Sequence, residues 1–180
     1  MHTTIQSSRE DLRIAYLTAL AIGVHVAESA LPSPIPGVKP GLANVITVAA
    51  LCRYGWKTAA WVALLRALAG SLILGTFLSP TFMLSISGAA ATVATLGLSS
   101  RIPGIGPVGH SLLAAMSHIA AQFFVAWALF IPHPGLLHLL PVFMTAAVIF
   151  GTLNGLIAQG MLRRLDRGIA PGIRAEEAHG

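Results

Sequence analysis

TAAWVALLRALAGSLILGTF, Thr58–Phe77, decides the fold: twenty residues with a single charged side chain, Arg66, near the middle. That is the length an α-helix needs to cross the hydrocarbon core of a bilayer. Working outward, Arg66 and Arg101 are the only charged side chains between Thr58 and Leu162. A water-soluble surface needs far more charge to stay solvated. Pro and Gly turns divide the stretch into apolar blocks of spanning length, so the chain reads as a polytopic, all-α integral membrane protein.

Composition agrees, with 55% hydrophobic residues, 9% charged residues and a mean hydropathy of +0.78. The apolar runs are continuous and do not alternate every second residue, which argues against a barrel. Cys52 is the only cysteine, so neither an internal disulfide nor a cysteine metal cluster is available. The net charge of +5 sits at helix ends, where membrane topology explains it better than nucleic acid. No cleavable signal peptide is expected. The first apolar block follows mixed charges and leads into Pro-rich sequence, with no small-residue cleavage site.

Six spans are expected: Leu12–Leu31, Gly41–Cys52, Thr58–Phe77, Pro80–Leu98, Pro107–Ile131 and Leu136–Leu162. They make one domain, residues 1–162, followed by a solvated, mobile basic tail, 163–180. The second span is short. It either tilts little, extends into Tyr54, or dips in as a re-entrant segment, leaving five spans plus a hairpin as the alternative. With the N-terminus inside, Arg9, Arg13, Arg53, Lys57, Arg101, Arg163, Arg164, Arg167 and Arg174 fall on the cytoplasmic side. Only Lys39 falls outside. This positive-inside bias places both termini in the cytoplasm, which requires an even number of crossings and favours six.

Ionisable groups inside a bilayer are costly and usually face a cavity or a partner. Glu28 lies near the outer end of span 1, with His25 one turn deeper. Lys39 sits in an outer loop stiffened by Pro32, Pro34, Pro36 and Pro40, and Asn44 follows at the start of span 2. Arg66 is near the middle of span 3 and needs an acceptor: Glu28, helix-end carbonyls or an anionic ligand. His118 and Gln122, four residues apart, share a face of span 5. Asn154 lies in the inner half of span 6. Gathered in the outer half of the bundle, these groups describe a site loaded from outside. The competing interpretation is an interfacial Glu28–Lys39 ion pair with amides tying helices together. Ala15 and Ala19 form an AxxxA on span 1, and Gly70 and Gly75 lie along span 3, positions that let helices approach closely in lipid. His25 and His118 read as hydrogen-bonded helix residues, and His133 and His138 as interface decoration. No HxxxH or HxxE pattern supports a metal site, and no cofactor is called for.

Several chemistries are missing. Lys39 and Lys57 follow Val38 and Trp56, so neither belongs to a GxxxxGK[ST] phosphate loop, and the chain carries no P-loop ATPase of its own. Asp11 and Asp166 are the only aspartates and lie near opposite ends, which excludes a paired-aspartate magnesium site for diphosphate chemistry. No serine lies in a GxSxG elbow. Nothing argues for an enzyme.

Glu28 with Leu31-Pro32, Pro34-Ile35-Pro36-Gly37-Val38-Lys39 and Gly41-Leu42-Ala43-Asn44 resembles the opening signature of the Gx transporter family. That family is also labelled heptaprenyl diphosphate synthase component I. The resemblance continues through Leu64-Leu65-Arg66, Gly70-Ser71, Gly75-Thr76-Phe77-Leu78-Ser79-Pro80-Thr81-Phe82 and Leu84-Ser85-Ile86-Ser87-Gly88, and more loosely at His118 and Gln122. Pro40 stands where leucine is expected, and Ile119 where asparagine is. The family is similar to S components of energy-coupling-factor (ECF) importers. Those six-helix proteins capture vitamins or related compounds from outside and dock through small residues of the first helix onto a membrane coupling subunit driven by two ATPases. The resemblance implies that Ala15 and Ala19 form such a docking face. It also implies that Glu28, Lys39, Asn44, Arg66, His118 and Gln122 bind a small ligand, anionic and prenyl- or vitamin-related. The expected location is the bacterial cytoplasmic membrane. The alternatives are a non-transporting component of a quinone, prenyl-lipid or flavin-linked electron-transfer system and, third, a membrane enzyme using His118 or Glu28 as a base.

Overall fold

The computed structural model describes residues 8–30 and 41–177, with side chains as far as Arg167. Its principal helices are α1 (Arg9–Ala30), α2 (Ala43–Tyr54), α3 (Trp56–Ile73), α4 (Pro80–Ser99) and α5 (Pro107–Val125). A short α6 (Pro134–Leu137) then leads into α7 (Leu140–Glu177). No strand occurs among the described residues. α1, α4, α5 with its π-helical extension, and α6–α7 together are each long and apolar enough to cross a membrane.

Local chemistry sets the helix ends. The Ser8 hydroxyl accepts the Asp11 N–H at 3.2 Å while the Asp11 carboxylate accepts the Ser8 N–H at 2.8 Å, a reciprocal cap on α1. Ser79 caps α4 by accepting the Phe82 N–H at 3.3 Å, with Pro80 in the first turn where no N–H is needed. Gly55 alone joins α2 to α3. Its φ of +89° turns the chain back within one residue, a conformation that a Cβ would oppose.

The interior is built of small side chains and the exterior of large ones. Twelve of the nineteen buried apolar residues are alanines, whereas Leu72, Phe124 and Ile149 are all more than half exposed. This inverts the soluble pattern and suits helices packed together in lipid, where close backbone approach replaces hydrophobic exclusion. α5 packs most extensively on α7 and α4, α1 packs on α3, and α2 touches α1, α3, α5 and α7. Gly151 and Gly155 of α7 lie against α5, where a Cβ on Gly155 would come within 2.6 Å of the Val108 Cα.

Two expectations about boundaries change. α5 ends in a π-helical turn, Ala126–Phe130, closed by the Ile131 N–H to the Ala126 carbonyl at 2.9 Å, before the chain re-forms as α6 and α7. α7 also runs on past Leu162 to Glu177, with exposed side chains from Arg163 to Arg167. The short second span is α2, twelve residues and about 18 Å long. Eight of those residues are buried by neighbouring helices, so α2 meets protein along most of its length and need not match the bilayer.

Candidate functional site

Arg53, Tyr54, Trp56, Lys57, Arg101 and the Arg163–Arg167 turn mark one end of the bundle. There Arg53 reaches Asp166 at 3.3 Å and the Arg13 guanidinium lies 4.3 Å from the centre of the Tyr54 ring. The helices open toward the other end, around a cavity of about 530 Å³. It is lined by the last turns of α1, the start of α2, the middle and end of α3, the start of α4, the later part of α5 and the first half of α7.

Arg66 is the centre of its polar wall. The residue is 7% exposed, and its Nη2 donates to the Asn44 Oδ1 at 3.1 Å. Its buried Nε has no hydrogen-bond partner among the described residues, and none of their carboxylates forms an ion pair with it. Glu28, 4% exposed, spends its Oε1 on the main chain entering α2, accepting the N–H of Gly41 and, at 3.2 Å, that of Leu42. Asn154 completes this clasp by donating to the Gly41 carbonyl at 3.2 Å. Gly41 has a φ of +71°, and the left-handed turn lets its N–H and its C=O meet partners from two different helices.

The two histidines are seated by glycines. The His118 Nδ1 lies 3.2 Å from the Thr92 hydroxyl, and a Cβ on Gly88 would come within 2.6 Å of the imidazole. A Cβ on Gly70 would stand 3.1 Å from the His25 ring. The opposite wall is apolar, formed by Leu84, Ile119, Ala146, Ala147 and Phe150. Ile119, one of the two departures from the family pattern, thus adds hydrocarbon surface where a polar group was expected.

Of the six residues expected to bind a ligand, Glu28, Asn44, Arg66, His118 and Gln122 line this one cavity. Lys39 lies outside the described residues. Sequence reasoning did not assign Asn154 to the site, having placed it in the inner half of the last span, and it overlooked Ser71, Thr81 and Ser85. Hydroxyls on apolar helices carry little signal, because many simply bond back to their own turn, as Ser71 does to the Leu68 carbonyl at 2.7 Å. The Gly151-to-Gly155 spacing was a legible packing signal that went unused. Ala15 and Ala19 are exposed, and with Gly23 they form a bare stripe on the outside of α1. Among the described residues, no three His, Cys, Asp or Glu side chains come together as metal ligands.

The fold and the cavity together define a multi-pass helical membrane protein with an internal polar chamber. The chain belongs to the heptaprenyl diphosphate synthase component I family, whose sequence model matches residues 17–161. No curated protein and no solved structure matches it.

Proposed function

We propose that the protein is the substrate-binding subunit of an ECF-type importer. In this reading it lies in the bacterial cytoplasmic membrane with both termini inside and takes up a small anionic ligand, prenyl- or vitamin-related, from outside. The observation that carries the reading is the cavity with Arg66 buried on its wall, its Nε without a hydrogen-bond partner among the described residues. Such a guanidinium in a membrane bundle suits an anionic guest. The cavity lies at the end of the bundle away from the basic cluster, and the positive-inside rule turns that end outward. The exposed Ala15–Ala19 stripe leaves α1 free to meet a coupling subunit.

The word synthase in the family's description supports no catalytic role for this chain. Asp11 is exposed at the start of α1, and Asp166 pairs with Arg53 at the basic end, so neither aspartate lines the cavity. Energy for uptake comes, in this reading, from a membrane coupling subunit and two ATPase subunits.

The test is affinity purification of the tagged protein from native membranes, with mass spectrometry of what co-elutes. Recovery of a coupling subunit with two ATPases is the expected result. Their absence, with prenyl-lipid or flavin proteins in their place, favours the electron-transfer role instead.

A further inference from the structure

We infer that the basic end of the bundle holds one anionic phospholipid, its phosphate against Arg101 in a cleft walled by Trp56. The cleft is a second cavity, at the opposite end from the chamber, and it does not depend on the importer reading.

The cleft forms where α3 begins beside the last turn of α4. Trp56, the first residue of α3, donates its indole N–H to the Val93 carbonyl at 2.9 Å, which holds the ring across α4. Gly97 is the seat of that ring, since a Cβ there would come within 2.7 Å of the indole nitrogen. Trp56, Gly97, Ser100 and Arg101 together line a space of about 210 Å³. The Ser100 hydroxyl donates back to the Gly97 carbonyl at 3.0 Å, so the N–H donors of the cleft come from Arg101. Arg101 is exposed, and among the described residues no carboxylate pairs with it. Its guanidinium presents parallel N–H groups of the kind that engage two phosphate oxygens at once.

The surroundings of Arg101 favour a lipid as the source of that phosphate. Tryptophan concentrates where hydrocarbon meets the head groups, and Trp56 lies among the basic residues that mark this end. Leu98 and Ile102, on either side of Ser100 and Arg101 in the chain, are each more than half exposed. A soluble anion would use the cation alone. A phosphate carried on acyl chains uses the cation and the flanking hydrocarbon together, as anionic lipids do in basic clefts between helices at a membrane surface. Phosphatidylcholine brings its own cation close to Arg101 and to Lys57 on α3, and like charges repel.

The full chain in dodecyl maltoside micelles is titrated with phosphatidylglycerol or phosphatidylcholine, and bound copies are counted by native mass spectrometry. Phosphatidylglycerol is expected to bind as one saturable copy, about fivefold or more tighter than phosphatidylcholine, roughly the effect of one cation at a lipid surface. Arg101→Gln should remove that preference, and Trp56→Leu should weaken binding although no charge changes. Arg164→Gln removes the same charge from an exposed position on α7 and should leave binding as it was. If Trp56→Leu does not elute monodisperse, the comparison of Arg101→Gln with Arg164→Gln decides, because both side chains are exposed. Equal binding of the two lipids, or equal losses in Arg101→Gln and Arg164→Gln, would mean diffuse attraction and overturn the inference. Displacement of the lipid by millimolar glycerol 3-phosphate would assign the cleft to a soluble phosphate and overturn it as well.

Discussion

Replacing Gly155 by alanine adds one methyl group where α7 crosses α5. Its Cβ would lie 2.6 Å from the Val108 Cα and 3.1 Å from the Ser111 Cβ. The nearer atom is backbone, so relief requires the two helices to move apart. Overpacking of this kind costs about 1–3 kcal/mol. Against it stands the better helix propensity of alanine, about 1 kcal/mol in a helix interior. The net expectation for Gly155→Ala is a loss of up to about 2 kcal/mol, from the same two effects. Gly160 lies on the same helix with nothing within 4 Å of its Cβ position, so Gly160→Ala receives only the propensity gain. The assay is unfolding of each purified variant in mixed micelles of rising dodecyl sulfate fraction, followed by loss of helical ellipticity. The two variants should move in opposite directions, separated by about 1–3 kcal/mol. Equal shifts, or stabilisation by both, would refute the claim that bare glycine at position 155 sets the α5–α7 distance.

Ser99→Ala should destabilise the fold by about 1–3 kcal/mol, because the Ser99 hydroxyl is the 2.8 Å partner of the buried His110 Nδ1. Restoration of stability by Thr at the same position would separate this from a packing effect. Asp166→Asn should change stability by less than about 1 kcal/mol in the same unfolding assay, since its pair with Arg53 is exposed on both sides. Cys52, exposed near the basic end of α2, should react with a membrane-impermeant maleimide in inverted vesicles and not in right-side-out ones. The reverse pattern would invert the proposed orientation.

Fold class was legible because it depends on sums over many residues. A hundred residues with two charges can only be a membrane bundle, and the turn residues place its corners. The short α2 was legible as short but not as central. Burial depends on which helices surround it, and its own composition does not show that. The membership of the site was read from rarity: Glu28, Asn44, Arg66, His118 and Gln122 stand out because polar groups are expensive in apolar helices. Asn154 stood out in the same way but was not assigned to the site, because linear position along α7 does not reveal where Gly41 folds back to meet it. The alanines and glycines were the hardest to read. The Gly151-to-Gly155 spacing marks a packing face, but which helix it meets, like the partner of Gly88, depends on the facing segment, which no spacing within one segment discloses.

Glu28 shows how a residue that is conspicuous in sequence takes its role from the backbone it meets. A buried carboxylate in a bilayer suggests a partner for a cation, and Arg66 shares its chamber. Its hydrogen bonds go elsewhere, to the N–H groups of Gly41 and Leu42 where the chain enters α2. The first N–H groups of any helix lack partners within the helix, and in a membrane interior water cannot supply them. Glu28 therefore closes α2 from outside, which allows a helix of twelve residues to begin inside the bundle beside the polar chamber. Two substitutions separate this role from simple charge. Glu28→Gln retains an acceptor and should leave the fold within about 1 kcal/mol of the parent, a neutral bond replacing a charged one. Glu28→Leu retains the bulk but strands two half-buried donors, at a cost of up to about 1–3 kcal/mol each. Mixed-micelle unfolding should therefore rank the parent and Gln together, well above Leu. Equal losses for Gln and Leu would show that the charge itself, acting on Arg66, is what the bundle needs, and the capping account would fall.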